Sequence, residues 1–220
     1  MIALRELKTL SLALLIGFAV LLKCGEARAG QTETLVVAGG CFWCVEANFE
    51  KVRGVTEAVS GFAGGKVPNP TYKQVVRGGT GHYEVVQIQF DPAQVSRETL
   101  LSMFFRSIDP TDPGGQFCDR GDAYRTAIFA SNPQEERLAE QVRAEAQTAL
   151  GQEIVTPVLP LDAFYPAEEY HQDYYKKDDL IPSRFGPISK EKAYKRYRAA
   201  CSRDQRVREL WGDAAPFAGS

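Results

Sequence analysis

A single α/β or α+β domain with a long irregular C-terminal wrap is the fold class the sequence predicts, on three observations. The 220 residues are 44% hydrophobic and 25% charged, the composition of a globular chain long enough to bury one core. Short apolar runs in strand period alternate with segments in helical period. No internal repeat and no linker divides the chain in two.

Leu35 to Ala38 is an apolar run closed by Gly39-Gly40, and Cys41 to Lys51 continues in helical period, which reads as strand, tight turn, helix. Val55 to Phe62 fits a second strand, and Gly64-Gly65 with Pro68-Asn69-Pro70 forms a loop. From Tyr83 to Phe90 the residues alternate, with Glu84, Val86, Ile88 and Phe90 on one face. Ser96 caps a helix over 97–107, and Asn132-Pro133 opens a longer one that Gly151 closes. Thr126 to Ala130 and Val155 to Leu159 read as short strands. Beyond Pro166 only a short helix near Lys190 to Arg198 is assignable. The domain spans 30–220, with a core at about 33–200 and a tail over 201–220.

A formal net charge of −2, from 26 Lys+Arg and 28 Asp+Glu, sets up no broad field for a phosphate backbone or an anionic membrane. Nucleic acid is therefore not an expected partner. Arg5 and Lys8 precede an apolar run from Thr9 to Leu22, and Ala27-Arg28-Ala29 supplies a small-x-small cleavage pattern, so residues 1–29 read as a cleavable signal peptide. The run is short for a bilayer span, which makes a retained anchor the alternative. Lys23 before Cys24 argues against lipid attachment. Cleavage would remove four basic and two acidic side chains, leaving 191 residues of net charge −4 in an exported, periplasmic or secreted domain.

Of the five cysteines, four then remain: Cys41, Cys44, Cys118 and Cys201. In an exported protein that count suggests two structural disulfides, with Cys44–Cys118 one possible bridge. Zinc is the other structural reading of a C-x-x-C pair, but the second close pair of a zinc ribbon is missing. The chemical reading starts from position. A cysteine opening a helix sits at unsatisfied N–H groups and the positive end of the dipole, which lowers its pKa and makes a nucleophile. Cys41 takes that place, and Cys44 falls on the same face three residues on.

Gly40-Cys41-Phe42-Trp43, Gly61-Phe62-Ala63-Gly64-Gly65, Asn69-Pro70-Thr71-Tyr72, Thr80-Gly81-His82-Tyr83-Glu84, Asp119-Arg120-Gly121 with Tyr124-Arg125-Thr126, and His171-Gln172-Asp173-Tyr174 stand in one order. Together they closely resemble the A-type peptide methionine sulfoxide reductases, over roughly Leu35 to Tyr175. The resemblance implies a mixed sheet flanked by helices, a two-layer sandwich or roll, with the site at the Cys41 helix. It implies reduction of the S epimer of methionine sulfoxide, free or in proteins, without flavin, metal or nicotinamide, as repair of oxidised exported proteins. Cys41 is then the nucleophile and Glu84 the acid that meets the sulfoxide oxygen, kept protonated by burial on the apolar face. Tyr72 and Tyr124 share the developing charge through O–H hydrogen bonds. Phe42 and Trp43 form the methyl pocket, Asp119 holds the substrate's backbone amide, and His171 stands behind the site or at the surface.

Turnover needs a second thiol to condense with the Cys41 sulfenic acid, and an external dithiol, thioredoxin-like, to reduce the resulting disulfide. Many members of the family have glycine at the position of Cys44 and use cysteines in a glycine-rich tail, which this chain lacks. The candidates are Cys201, favoured for the reach of a mobile tail, then Cys44, whose helical spacing from Cys41 requires distortion to form a bond, then Cys118. A monomer is expected. Two rival functions stay open at this level: a general thiol–disulfide oxidoreductase using Cys41 and Cys44, and a non-enzymatic binding domain stapled by two disulfides.

Overall fold

The computed structural model describes residues 32–183 and 186–219, so the leader assignment over 1–29 lies outside the described residues. Ten short strands form around one main sheet: β1 (Glu33–Gly39), β2 (Val55–Ala63), β3 (Tyr83–Phe90), β4 (Gly115–Gln116), β5 (Asp119–Arg120), β6 (Thr126–Ala130), β7 (Val158–Pro160), β8 (Phe164–Pro166), β9 (Leu180–Ile181) and β10 (Ile188–Ser189). Six helices accompany them: α1 (Phe42–Phe49), α2 (Tyr72–Arg77), α3 (Arg97–Phe105), α4 (Pro133–Leu150), α5 (Lys190–Ala200) and α6 (Arg203–Trp211). The main sheet has the order β7-β6-β1-β3-β2-β8. Only β6 and β7 pair in parallel, so the sheet is mixed. β4–β5 and β9–β10 are separate two-stranded ribbons.

β3 sits in the sheet's middle and is buried on both faces. Val86, Ile88 and Phe90 join Leu35, Val37, Phe42, Phe49, Leu100 and Phe104 in the larger core, while Tyr83 and Val85 pack on the other side with Val36, Ala38 and Phe129. The even positions face the helices, as the alternation predicts. Helix ends follow their caps: Ser96 accepts from the Thr99 N–H, and Asn132 accepts from the N–H groups of Gln134 and Glu135 with Pro133 behind it. Gly151 closes α4 in a left-handed conformation.

Two regions differ from the sequence expectation. The stretch after Pro70, which the sequence leaves unassigned, holds α2, opened by a capping box between Thr71 and Gln74. The predicted irregular tail after 200 is helical: α6 sends Val207 and Trp211 into the core with Phe217 behind them, and the Trp211 indole N–H reaches the Ile108 carbonyl at 3.4 Å. Among the described residues no helix is long and apolar enough to cross a membrane.

The turn between β1 and α1 is set by one residue. Gly40 has φ +80°, and a Cβ there would stand 2.5 Å from the Gln116 Cβ. Gln116 cannot yield, because its buried amide is bonded to the Asp109 N–H and carbonyl at 2.9 and 2.7 Å. Gly40→Ala should therefore cost about 1–3 kcal/mol from backbone strain alone, with the clash in addition. A shift in urea midpoint at unchanged slope measures it, and a midpoint equal to wild type would refute the constraint.

Candidate active site

β1 ends at Gly39 in register with Thr126 of β6, and Val37 faces Val86 of β3, so the start of α1 and the start of β3 meet at one end of the sheet. The chain turns at Gly40 and places Cys41 as the N-cap of α1. Glu84, one residue into β3, lies directly beneath: its Oε2 accepts the Phe42 N–H at 3.0 Å. A small pocket opens there, lined by Cys41, Phe42, Trp43, Tyr72, Glu84, Asp119, Tyr124 and Tyr197. A roomier cleft near Glu33 and Asn132 is lined by no cysteine, and its Arg97 is paired with Glu33 at 3.0 Å and Glu135 at 3.2 Å.

Glu84 is 1% exposed. Burial pushes its carboxyl up to about 8 against the Phe42 N–H bond that opposes it, and the negative charges of Asp119 and Cys44 add to the rise. No cation among the described residues pairs with Glu84. Tyr72 comes from the first turn of α2 and Tyr124 from a 3-10 turn over Asp122–Tyr124. Their hydroxyls are hydrogen-bonded to each other, and burial followed by the nearby Glu84 raises both phenols, Tyr72 to about 12. Both therefore remain proton donors at any physiological pH.

Cys41 and Cys44 are free, buried thiols. They are hydrogen-bonded and titrate as a pair. The bond from Cys41 holds Cys44 down to about 6, helped by the cations of Arg203 and Arg198 and opposed by burial. Burial pushes Cys41 well up, and the bond and charge of Cys44 and the charge of Glu84 push the same way. This corrects the expectation that Cys41 itself has a lowered pKa. The helix-start position is as predicted, but Glu84 has already taken the Phe42 N–H, and of the coupled pair it is Cys44 whose pKa falls. Arg203, 2% exposed, donates to the carbonyls of Gly39 at 3.2 Å and Ser107 at 3.0 Å, which fixes its charge beside the pair.

The other two cysteines among the described residues, Cys118 and Cys201, are joined to each other, with Cα atoms 4.9 Å apart. The suggested Cys44–Cys118 bridge is thus overturned: Cys44 packs under α5 against Cys41, Ala47, Tyr174 and Tyr194, while Cys118 stands exposed in the β4–β5 turn. Cys201 is likewise no free thiol on a mobile tail, because it caps α5 and α6 begins two residues on. Among the described residues there are one disulfide and two free thiols, not the two bridges of a stapled scaffold.

Residues 33–214 match the family model described as peptide methionine sulfoxide reductase. The chain belongs to this family. It is 48% identical over 195 residues to peptide methionine sulfoxide reductase MsrA 2 of Rhizobium meliloti, covering 88% of this chain and 90% of that one. It is 47% identical over 184 residues to peptide methionine sulfoxide reductase MsrA of Halalkalibacterium halodurans, covering 83% and 98%. Among solved structures it is similar to methionine sulfoxide reductase A of Corynebacterium diphtheriae, with a TM-score of 0.64, 34% identity, and 72% and 80% of the two chains covered. The reduced form of Mxr1 from Saccharomyces cerevisiae gives a TM-score of 0.64 at 30% identity, covering 74% and 94%. As a member of the family the chain is an oxidoreductase that reduces methionine sulfoxide, and the general thiol–disulfide oxidoreductase reading falls away.

Seven of the residues predicted for the site, Cys41, Phe42, Trp43, Tyr72, Glu84, Asp119 and Tyr124, line one pocket. His171 is 3% exposed and stands behind the wall, against the rings of Phe42, Trp43 and Tyr72 at 5.2, 5.6 and 4.2 Å. Burial holds it neutral, down to about 4. Sequence reasoning missed Tyr197, which lines the pocket from α5, and Tyr174, which stacks on Trp43 at 3.8 Å. It also missed Glu46, fully buried on α1, whose carboxylate accepts from the Ser60 hydroxyl and the Asp173 N–H and so ties the 171–175 segment to the active helix.

Proposed function

We propose that the enzyme reduces the S epimer of methionine sulfoxide through a sulfenic acid on Cys41, resolved by Cys44. The observation that carries this reading is the hydrogen-bonded Cys41–Cys44 pair beside a buried, protonated Glu84 in an aromatic pocket. Moving the shared proton from Cys41 to Cys44 puts the thiolate on Cys41, which attacks the sulfoxide sulfur. Glu84 gives its proton to the departing oxygen while Tyr72 and Tyr124 donate hydrogen bonds to it. Phe42 and Trp43 enclose the methyl group. The protonated oxygen then passes from the substrate sulfur to the Cys41 sulfur as the bond between the two sulfurs breaks, which releases the sulfide and leaves a sulfenic acid on Cys41.

Cys44, now carrying the proton, condenses with that acid and releases water, giving a Cys41–Cys44 disulfide. A thioredoxin-like dithiol then reduces the bridge to two thiols and is itself oxidised to a disulfide. Cys44 takes precedence over Cys201 and Cys118 because those two are already bonded to each other. No flavin, metal or nicotinamide enters these steps. The reading of residues 1–29 as a cleavable signal peptide fits a repair role on exported proteins, and the enzyme works as a monomer.

Peptide mapping after reaction with methionine sulfoxide and no reductant tests the assignment. A new Cys41–Cys44 bridge beside an intact Cys118–Cys201 bridge is expected. A Cys41–Cys201 or Cys41–Cys118 bridge would overturn the choice of Cys44.

A further inference from the structure

We propose that Tyr197 is a positioning residue of the pocket: its hydroxyl fixes the Asp119 carboxylate toward a substrate's backbone amide, and the Cys118–Cys201 disulfide clamps it there. This rests on the reading of the pocket given above. Two contacts form a ladder between α5 and the β4–β5 ribbon. On α5 the Cys201 N–H donates to the Tyr197 carbonyl at 3.0 Å, so the two residues are one turn apart on one face. On the ribbon Cys118 directly precedes Asp119. One rung is the disulfide, and the other is the hydrogen bond that the Tyr197 hydroxyl donates to Asp119 Oδ2.

Gln116 anchors β4 through Asp109, and on the β5 side the ladder holds Asp119. β4 and β5 are two residues each, paired only as Gly115↔Arg120 and Gln116↔Asp119, and Phe117 in the turn has φ +56°. So short a ribbon is not rigid by itself. Asp119 hangs from its end, and a carboxylate free to rotate would meet a substrate amide in many orientations. With Oδ2 held by Tyr197, Oδ1 is left for the incoming N–H. The Tyr197 ring is fixed in turn, edge-on to Trp43 at 6.4 Å and 82° between planes. Trp43 is itself stacked on Tyr174, so the clamp closes the same aromatic wall that receives the methyl group.

Recognition of the amide thereby depends on the clamp more than recognition of the sulfoxide does. Dimethyl sulfoxide carries the reacting group without an amide, whereas N-acetyl-methionine sulfoxide methylamide carries both. The test compares them in single turnovers at excess enzyme without reductant, so that recycling does not enter. Tyr197→Phe keeps the ring and removes the hydroxyl. It should lower the preference for the amide compound over dimethyl sulfoxide about tenfold, the scale of one charge-assisted hydrogen bond, on top of whatever the loss of a hydroxyl beside Cys41 does to both compounds alike.

A Cys118→Ser/Cys201→Ser variant should show the same selective loss, and adding Tyr197→Phe to it should add little, because the two act as one unit. Selective reduction of the wild-type bridge gives a second route that needs no substitution. Equal losses on both compounds would make Tyr197 a fold residue and overturn the proposal, as would an amide preference that survives removal of the bridge. A wild-type enzyme that reduces neither compound would instead refute the underlying assignment of the pocket.

Discussion

Cys41→Ser will abolish sulfoxide reduction, by about 10⁴-fold or more, the scale on which removing a nucleophile acts. A serine hydroxyl gives no alkoxide near neutrality, and the partner that accepts the Cys41 proton, the Cys44 thiolate held down to about 6, is no base for it. Cys44→Ser separates chemistry from recycling. The nucleophile and the Glu84 proton donor remain, so one equivalent of methionine still forms per enzyme, and turnover then stops at the sulfenic acid unless an outside thiol reaches it. Removing Cys44 also removes the proton acceptor, so that single equivalent should form more slowly than in wild type. Counting methionine released per enzyme without reductant distinguishes them: one equivalent for wild type, one for Cys44→Ser, none for Cys41→Ser. Turnover by Cys41→Ser would sink the mechanism.

How far the sequence carries this picture depends on the range of each interaction. Strand alternation exposes Glu84 as an inward carboxyl, because the two-residue period of β3 is a local property that the sheet merely uses. The turn at Gly40 and the caps at Ser96 and Asn132 are local too. α2 was also announced locally, by Thr71 and Gln74 in capping-box spacing, but the Pro68-Asn69-Pro70 turn next to it dominates the reading.

The Cys118–Cys201 bridge spans 83 residues, and no spacing rule fixes such a connection. The clue to Tyr197 lay within it, since a tyrosine four residues before a helix-capping cysteine shares that cysteine's face. The pKa order of the thiol pair is tertiary as well. It turns on Arg203, which arrives from α6, and on the Phe42 N–H, which Glu84 claims from β3. His82, which stands in the same motif as Glu84, does structural work. Its ring bridges the Val67 carbonyl at 2.8 Å and the Gly65 N–H at 3.1 Å, and so pins the loop before α2.

Glu84→Gln should lower the maximal rate about 10²–10⁴-fold, the usual contribution of a positioned general acid, with little change in half-saturation. Glutamine is nearly isosteric, and its amide oxygen still accepts the Phe42 N–H, so the loss reports the proton and not the fold. The pH profile carries the sharper test. Cys44 must be ionised to take the Cys41 proton, so the rate rises through about 6, and Glu84 must be protonated, so it falls through about 8. Glu84→Gln should erase the alkaline limb and keep the acid one. Stability follows the same proton. The folded-state pKa is raised from 4.5 to about 8, so the contribution is complete below 4.5 and declines as pH rises through about 8. The glutamine variant should lack that part of the slope when urea midpoints are compared at pH 5 and pH 9. A variant that keeps the alkaline limb would show that the acid is another group, and Tyr72, raised only to about 12, titrates too high to supply that limb.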